Sequence, residues 1–403
     1  MIKRLIRTIL IILAILLLIA AVLGALYYFT EPRITLKGEN SMEVTMKEGY
    51  QEPGYEAKFW FKDITSHVKV SSDLNDKKVG EYVVKYSVNF LKKTASTTRT
   101  VKVVDKEPPV ITLNEGSSIK VPITGKFEDP GYTAQDDSDG DVTGSVEAKG
   151  IVDTYHTGTY TITYSVTDSY GNAATEKRSV TVEGEPEEKK NKVIYLTFDD
   201  GPSDSVTPQV LDTLKKYNVK ATFFIIDYGE SAEKIELLKS AIAQGHTIGI
   251  HGYSHDYSEI YKSVPAFMEN ITTLEEKIRN DLDYEPFIIR FPGGSSNTVS
   301  ENYCEGVMSD LVTKVQEEGY YFTDWDVDST DASGNNISTD QIISSVKRAC
   351  SENQYNIVLM HDSDAKQTTA EALPEIIEWA KEEGYTFAAM EKGGPTVHHT
   401  VNN

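Results

Sequence analysis

Residues 193–202, VIYLTFDDGP, form an apolar run that ends in two adjacent carboxylates, Asp199 and Asp200. An apolar run of this length bounded by Gly and Pro is typical of a strand that is buried on both faces. Two carboxylates at its end repel each other, and an unpaired buried carboxylate is costly. The stretch therefore predicts either a polar turn or a site at which one Asp binds a metal ion and the other handles a proton.

Six further apolar runs follow this strand and alternate with segments of helical period. The predicted strands are 193–198, 221–226, 246–250, 286–291, 320–327, 356–360 and 386–390, and the predicted helices are 207–217, 232–245, 264–282, 301–319, 339–350 and 373–384. Gly245, Gly319 and Gly384 stand where glycines end helices. This alternation predicts a parallel α/β sheet, either closed into a barrel or open.

The N-terminus carries a candidate membrane segment. Lys3, Arg4 and Arg7 precede a stretch without charges from Thr8 to Thr30, which is long enough to span a bilayer. A cleaved signal peptide is the alternative, although its apolar core is normally shorter, about 7–15 residues. The positive-inside rule then predicts a single-pass protein of the cell membrane with everything after residue 31 outside the cell.

Residues 31–184 contain a repeat of strand-like sequence. EPGYEA (52–57) matches DPGYTA (129–134), GEYVVKYSV (80–88) matches GTYTITYSV (158–166), and RTVKVV (99–104) matches RSVTVE (178–183). These offsets suit two tandem β-sandwiches, and both repeats resemble bacterial immunoglobulin-like domains. The expected domains are a cytoplasmic tip and anchor (1–30), the two repeats (31–106 and 107–184), a charged linker (185–191) and the α/β domain (192–395).

Composition excludes some partners and leaves others open. The 403 residues include 40 Lys and Arg against 62 Asp and Glu, a net charge of −22, which argues against a nucleic-acid partner. The carboxylates of Asp136–Asp141 could hold Ca²⁺, but the Glu that closes an EF-hand loop is absent, so a solvated turn is favoured. Cys304 and Cys350 are the only cysteines, and the sequence leaves open whether they pair.

Reactive side chains fall at the carboxyl ends of five predicted strands, which is where sites form in such folds. They are Asp199 and Asp200, His251 and His255, Arg290, the aspartates of WDVDSTD (Asp326, Asp328 and Asp331), and His361 with Asp362. Two imidazoles and one carboxylate suit Zn²⁺ or a similar first-row cation and leave positions open for water and substrate. Neighbouring strand residues point to opposite sides, so we expect one of the two Asp residues to bind the metal and the other to take a proton from water.

The segment 192–391 resembles the polysaccharide deacetylase (NodB-homology) family, the fourth carbohydrate esterase family. It carries five motifs in order: TFDDGP, HGYSH, RFPGG, DSTDA and LMH. The resemblance implies a distorted (β/α) barrel and removal of acetyl groups, usually from N-acetylglucosamine polymers, with a divalent metal. Zn²⁺ is favoured, with Co²⁺, Ni²⁺ or Mn²⁺ as alternatives.

The resemblance also implies roles for individual residues. Asp199 would be the catalytic base, His361 the general acid, and Asp200, His251 and His255 the metal ligands. Arg290 would balance the carboxylates, and Asp331 would orient either Arg290 or His361. Pro292, Gly293 and Leu359 would contact the substrate, with the amide of Gly293 as oxyanion donor and Leu359 against the acetyl methyl group.

Three positions depart from the family pattern. Gly252 replaces a Ser or Thr that helps to hold the loop after the first His, and Gly293 and Ala332 replace aromatic residues that wall the groove. Trp325 could compensate for a lost wall or pack inside the fold. The expected function is N-deacetylation of peptidoglycan, with the repeats as spacers. The alternatives are deacetylation of a secreted or O-acetylated glycan, or an inert surface-binding protein, which the complete set of catalytic residues disfavours.

Overall fold

The computed structural model of this chain describes residues 2–184, 192–334, 337–352 and 355–403, so the predicted linker at 185–191 lies outside the described residues. The chain divides into two compact units. The first comprises residues 1–110, 134–144 and 167–174, and the second comprises residues 111–133, 145–166 and 175–403.

The first unit begins with helix α1 (Ile2–Phe29) and continues with the first immunoglobulin-like repeat. The segment Arg4–Phe29 contains an 18-residue window with a mean hydropathy of 3.3 and is long and apolar enough to cross a membrane, a test that a signal sequence also passes. The strands of the repeat form two sheets, in the orders β1-β3-β4 and β2-β7-β6-β5. Their bounds are β1 Arg33–Leu36, β2 Ser41–Thr45, β3 Tyr55–Phe59, β4 Lys62–Asp63, β5 Val68–Ser72, β6 Gly80–Phe90 and β7 Lys93–Val104.

The second repeat repeats this order of strands. Four of its strands form a sheet in the order β12-β13-β14-β9, which matches the four-stranded sheet of the first repeat. The bounds are β8 Val110–Leu113, β9 Ser118–Pro122, β10 Tyr132–Asp136, β11 Gly140–Asp141, β12 Glu147–Lys149, β13 Gly158–Thr167 and β14 Ala173–Glu183.

The repeated sequence motifs build the same buried cluster in both repeats. In the first, the guanidinium of Arg99 is fully buried and donates to Glu52 at 2.8 Å, and the hydroxyl of Tyr86 donates to the same carboxylate. In the second, Arg178 and Tyr164 both donate to Asp129. A buried arginine needs such a partner because an unpaired charge in the interior is costly. The cluster explains why the three motifs recur together.

The α/β domain in the second unit is built on a parallel sheet. Its path is β19-β18-β17-β16-β15-β21-β20, with β22 paired to β15. The central strand β15 is almost wholly buried, as expected for a parallel strand covered on both faces. The bounds are β15 Val193–Gly201, β16 Ala221–Ile226, β17 Thr247–Gly252, β18 Ile288–Ile289, β19 Tyr321–Phe322, β20 Val327–Asp328, β21 Tyr355–His361 and β22 Thr386–Phe387.

The sheet is curled rather than flat. Strands β19 and β20 are the two ends of its path, yet only residues 323–326 separate them along the chain. Five residue steps span at most about 18 Å, so the two edges must lie near each other. The guanidinium of Arg290 fills the space between them, donating to the carbonyls of Thr323 at 3.1 Å and Asp324 at 2.9 Å. The predicted parallel α/β fold is therefore present as an incompletely closed barrel.

Seven helices cover this sheet among the described residues: α2 Val206–Tyr217, α3 Ala232–Ala243, α4 Tyr257–Ile260, α5 Val264–Leu282, α6 Val307–Glu317, α7 Thr339–Ala349 and α8 Gln367–Glu382. Serine side chains cap three of them, since Ser231, Ser263 and Ser338 accept hydrogen bonds from the amides three residues later. The predicted helix at 301–319 was too long, because Gly306 with a φ of +76° separates α6 from a short turn before it.

The two cysteines do not form a disulfide bond. Both Cys304 and Cys350 are free thiols and partly buried. Cys304 lies in the turn before α6 rather than on a helix, and Cys350 caps α7, where burial raises the pKa of its thiol to about 12. The pairing that the sequence left open is therefore absent.

Candidate active site

The adjacent aspartates at the end of β15 are separated by an irregularity in the strand. The pairing of β15 with β16 shifts register between Asp199 and Gly201, and Asp200 has a φ of +70°. A bulge re-aims the bulged side chain, and Asp is among the few residues that tolerate this left-handed conformation, at about 1 kcal/mol. The two carboxylates therefore serve different neighbours, although they are consecutive in sequence.

Asp200 faces two imidazoles. Its Oδ1 lies 3.5 Å from Nε2 of His251 and 3.7 Å from Nε2 of His255, and ligand atoms of all three side chains lie within 4.8 Å of one another. His251 is buried, Asp200 is partly buried and His255 is exposed. One carboxylate and two imidazoles on a partly open surface fit a divalent cation of the zinc type with space for further ligands. These three residues could hold a metal.

The tautomer of His251 suits a ligand. Its Nδ1 lies 2.8 Å from the carbonyl oxygen of Arg290, which can only accept, so Nδ1 carries the proton and Nε2 keeps its lone pair. Burial lowers the pKa of His251, which favours the neutral ring. A second nitrogen bonded to a backbone carbonyl is the usual support of a metal-binding histidine.

Asn270 on helix α5 holds the HGYSH loop. Its Oδ1 accepts from the amide of Tyr253 at 3.0 Å, and its Nδ2 donates to the carbonyl of Ser254 at 3.3 Å. Gly252 has a φ of +137°, and a Cβ at this position would stand 2.6 Å from the Asn270 Oδ1. Position 252, in the loop between the two histidines, therefore requires glycine. Asn270 holds this loop in place of the Ser or Thr hydroxyl that Gly252 lacks.

Arg290 pairs with Asp199 inside the barrel. Both side chains are buried, and Nη1 of Arg290 donates to Asp199 Oδ1 at 2.9 Å and to the hydroxyl of Thr197 at 2.6 Å. The other Asp199 oxygen lies 3.9 Å from Nε2 of His251. A buried carboxylate without a cation would be costly, so the arginine stabilises its charged form. Asp199 therefore stands beside Asp200, His251 and His255 and is paired with a buried arginine.

Asp331 contacts His361, not Arg290, among the described residues. Its Oδ1 lies 2.8 Å from Nδ1 of His361, and its Oδ2 accepts from the His361 amide at 2.8 Å and from the hydroxyl of Thr369 at 2.9 Å. Burial alone would lower the pKa of His361, but the hydrogen bond to Asp331 and the charges of Asp199 and Asp331 raise it to about 9. His361 is thus held as an imidazolium at neutral pH.

Asp362 is a buried acid that neighbours the same strand end. It accepts from the hydroxyl of Thr207 at 2.6 Å, and burial raises the pKa of its carboxyl to about 7. A Cβ at position 201 would lie 2.5 Å from Asp362 Oδ1, so only glycine fits after the aspartate pair. The amide of Asp362 donates to the carbonyl of Asp199 at 3.2 Å and so ties its own backbone to the end of β15.

The proposed substrate-contacting residues lie around the cluster, and one neighbour was not expected. Leu359 is buried on β21, and the carbonyl of Pro292 accepts from the hydroxyl of Tyr261 at 2.8 Å. Gly293 has a φ of +78°, and a Cβ there would stand 2.3 Å from the hydroxyl oxygen of Tyr257. Tyr257, whose ring centroid lies 5.5 Å from that of His255, occupies the space beside Gly293 that the sequence suggested to be empty.

Neither Ala332 nor Trp325 forms an aromatic wall of the groove. Ala332 is exposed, so no aromatic wall stands at this position. Trp325 packs against the buried cluster of Tyr195, Phe224 and Ile288 and lies edge-on to His399 at 4.9 Å. It therefore belongs to the core and does not replace a wall.

Two candidate aspartates of the WDVDSTD segment lie outside the cluster. Asp326 accepts from the amide of Ile357 at 2.6 Å, and Asp328 accepts from the amide of Thr330 at 2.6 Å. Both shape the backbone that leads to Asp331. The buried Asp324 of the same segment, which sequence analysis missed, accepts from the amides of Ser295 at 2.7 Å and His399 at 2.8 Å and so fixes the loop after Gly293 and Gly294.

Comparisons with known proteins agree with this architecture. The family described as polysaccharide deacetylase matches residues 187–306, and the family described as bacterial surface protein, Ig-like domain, matches residues 34–103 and 111–182. A peptidoglycan-N-acetylglucosamine deacetylase of Bacillus cereus is 34% identical over 219 residues, which are 53% of this chain and 74% of that protein.

Two further relatives extend the comparison. The peptidoglycan-N-acetylglucosamine deacetylase PgdA of Listeria monocytogenes is 34% identical over 218 residues, which are 53% of this chain and 41% of that protein. The crystal structure of the catalytic domain of a peptidoglycan N-acetylglucosamine deacetylase from Eubacterium rectale is similar with a TM-score of 0.51 and 40% identity, covering 55% of this chain and 98% of that one.

Proposed function

The chain belongs to the polysaccharide deacetylase family, and from this premise we propose that it is a membrane-anchored, extracellular, metal-dependent N-deacetylase of peptidoglycan. The observation that supports the proposal is that Asp199, paired with Arg290, and His361, whose pKa is raised to about 9, lie beside the cluster of Asp200, His251 and His255. A base and an acid on neighbouring strands, next to a cation site, are the parts that hydrolysis of an amide needs.

The cation would be held by Asp200, His251 and His255, with Zn²⁺ favoured by the two imidazoles. When bound, such an ion supplies Lewis-acid chemistry, lowering the pKa of water and polarising a carbonyl. The number, chemistry and spacing of these three side chains suit such a cation. The tautomer of His251 leaves the lone pair of its Nε2 free for the ion.

The residues of the chain would divide the proton transfers. Asp199, which is paired with Arg290, accepts a proton from the attacking water. His361, kept protonated by Asp331, donates a proton to the departing amine nitrogen, so that water and amide give acetate and a free amino sugar. Within the described chain no hydrogen bond uses the amide of Gly293, which would therefore be free to stabilise the developing oxyanion.

Peptidoglycan is the proposed substrate because the named relatives act on it and because the N-terminal part suits a protein of the cell surface. The apolar helix would anchor the chain in the membrane, and the two immunoglobulin-like repeats (31–106 and 107–184) would be spacers before the deacetylase domain (192–395).

The test measures acetate release from solubilised peptidoglycan by the purified full chain in detergent. Asp199→Asn and His361→Ala should each lower kcat by about 10²–10⁴-fold and leave bound metal unchanged, because they remove proton transfer only. His251→Ala should abolish both activity and bound metal. Asp204→Asn is the matched control, because Asp204 is an exposed aspartate in the loop that follows β15. It should leave activity and bound metal unchanged.

The other substrates are outcomes of the same assay. Faster release of acetate from a poly-N-acetylglucosamine or from an O-acetylated glycan than from peptidoglycan would contradict the proposed substrate. Loss of less than tenfold in both Asp199→Asn and His361→Ala would contradict the proposed roles. Absence of activity on every acetylated glycan would leave the chain as a binding protein.

A further inference from the structure

Three aspartates that are far apart in sequence meet in the first unit. Asp105 follows strand β7, Asp136 ends strand β10, and Asp168 follows strand β13. Carboxylate oxygens of the three lie within 4.8 Å of one another, and each residue is at least nine-tenths buried, with exposures of 8%, 8% and 7%. We call this group the aspartate cluster.

The aspartate cluster has no cation to balance it among the described residues. Lys106, the neighbour of Asp105 in sequence, pairs with Glu43 at 2.8 Å instead. Three buried carboxylates at this spacing repel one another strongly, and burial in a medium of low polarity increases that repulsion. Such a group is stable only if a cation enters it or if protons neutralise it.

Protonation is disfavoured at Asp136. Its Oδ1 accepts from the amides of Ser138 and Asp139, both at 2.9 Å. Two amide donors on one oxygen favour the charged form of this carboxylate, so its charge needs a counter-charge other than a proton.

One oxygen in the cluster has no partner. Asp136 Oδ2 is buried and accepts no hydrogen bond within the described chain. In addition, the hydroxyl of Ser138 contacts both Asp105 Oδ2 and Asp136 Oδ1 but can donate its single hydrogen to only one of them. A buried carboxylate oxygen without a partner and a hydroxyl shared between two carboxylates indicate that the cluster has free capacity to bind a cation.

We propose that the aspartate cluster binds one Ca²⁺ ion. Calcium takes six to eight oxygen ligands at about 2.3–2.6 Å, so two ligands of one ion lie at most about 5.2 Å apart, and the three carboxylates, within 4.8 Å of one another, satisfy this limit. The donors are oxygens only, which disfavours zinc, and water or backbone carbonyls would complete the shell.

The ligand set differs from the one suggested by the acidic run Asp136–Asp141 alone. Only Asp136 of this run reaches the cluster, since Asp139 bonds to the amide of Ser169 at 2.7 Å and Asp141 to the amide of Thr143 at 3.0 Å. The bound ion ties the segment after β7 to two loops of the second repeat. The site is separate from the deacetylase residues, so it acts on the stability of the repeats and not on the chemistry.

The test is a calcium titration of the full chain in detergent after dialysis against a chelator. Uptake of one Ca²⁺ per chain is expected, with a Kd of about 10⁻⁴–10⁻³ M, as is usual for extracellular modules. Asp136→Asn should weaken binding at least tenfold and remove the rise in Tm that calcium causes in the parent chain. Asp137→Asn, the exposed neighbour in the same loop, is the matched control and should bind as the parent chain does.

The remaining outcomes distinguish this site from the active site. His251→Ala should bind calcium normally, and Asp136→Asn should release acetate at the parent rate. If Asp136→Asn does not fold, the parent titration decides alone: no calcium uptake at about 10 mM, well above the expected Kd, overturns the proposal. Equal binding of Mg²⁺ at the same concentration overturns the choice of calcium, and calcium uptake that Asp136→Asn and Asp168→Asn leave unchanged overturns the ligand set.

Discussion

At the scale of single residues, the contact between Asp331 and His361 sets the proton affinity of the proposed general acid. The hydrogen bond and nearby negative charges raise the pKa of His361 to about 9 against the effect of burial. Asp331→Asn removes one charge and the charge-assisted hydrogen bond, so the pKa of His361 should fall. We expect the alkaline limb of the kcat/KM profile to move to lower pH by about 1–2 units, the equivalent of a charged hydrogen bond.

The measurement is acetate release between pH 6 and 10 for both chains. Asp328→Asn, in the same segment but outside the cluster, is the control and should keep the parent profile. An Asp331→Asn profile with the parent alkaline limb and only a uniformly lower rate would mean that Asp331 has a structural role alone.

Gly293 is constrained both by its conformation and by Tyr257. Gly293→Ala places a side chain at a φ of +78° and in collision with the Tyr257 hydroxyl oxygen, so either the Tyr257 side chain or the loop must shift. We expect a lower Tm, because the left-handed conformation alone costs about 1 kcal/mol for a residue with a Cβ, and a lower kcat/KM, because the amide moves. Adding Tyr257→Phe, which removes the clashing oxygen, should recover part of the activity; if it recovers none, the clash is not the cause.

At the scale of elements, helix α5 supports the loop that carries two of the proposed metal ligands. Asn270→Ala removes both hydrogen bonds to the loop, at Tyr253 and Ser254. Residues that orient metal ligands typically contribute 10–100-fold to metal affinity, and we expect a loss of that size. Competition with a chromogenic chelator measures it. Thr273→Ala, exposed on the same helix, should bind metal as the parent chain does, and equal affinities in both variants would contradict the role of Asn270.

The bounds of several helices and strands agree with those predicted from the sequence, and others differ. The strand at 221–226 and the helix at 264–282 have the predicted bounds, because their patterns are long and their ends carry clear signals such as the Ser263 cap. The predicted strand at 320–327 is divided into β19 and β20, because the chain leaves the sheet at Asp324, whose amide donates to the carbonyl of Val397 and whose carboxylate accepts from the amide of Ser295. Local periodicity cannot contain that information.

In the candidate site, too, some features could be predicted from the sequence and others could not. Carboxylates and imidazoles at strand ends could be predicted to converge, because parallel strands bring their carboxyl ends to one edge. The partners Asn270, Tyr257 and Asp324 could not, because each acts through a contact with a segment distant in sequence. The choice between Arg290 and His361 as the partner of Asp331 needed the structure for the same reason.

At the scale of the whole molecule, the proposed deacetylase domain and the N-terminal helix belong to one chain. Where the enzyme acts therefore depends on whether this helix anchors it in the membrane. Segment Arg4–Phe29 satisfies the length and composition of a membrane span, and a cleaved signal would satisfy them too. An anchor stays on the mature chain, whereas a signal peptide is removed from it. If the helix is an anchor, the full-length protein should be found in the membrane fraction with residues 1–30 intact, as intact mass or N-terminal sequencing of the purified chain would show.

Replacing residues 1–30 by a cleavable signal tests what the anchor does. The released protein should deacetylate solubilised peptidoglycan at the same kcat/KM, because the helix contributes no residue to the proposed site. In cells it should modify less of the wall, since anchoring raises the local concentration of enzyme near the membrane. Mass spectrometry of muropeptides from cells with either form measures the difference at equal expression. Recovery of the parent protein from the medium without residues 1–30 would show that the segment is a signal, and equal wall modification by both forms would show that anchoring is not needed.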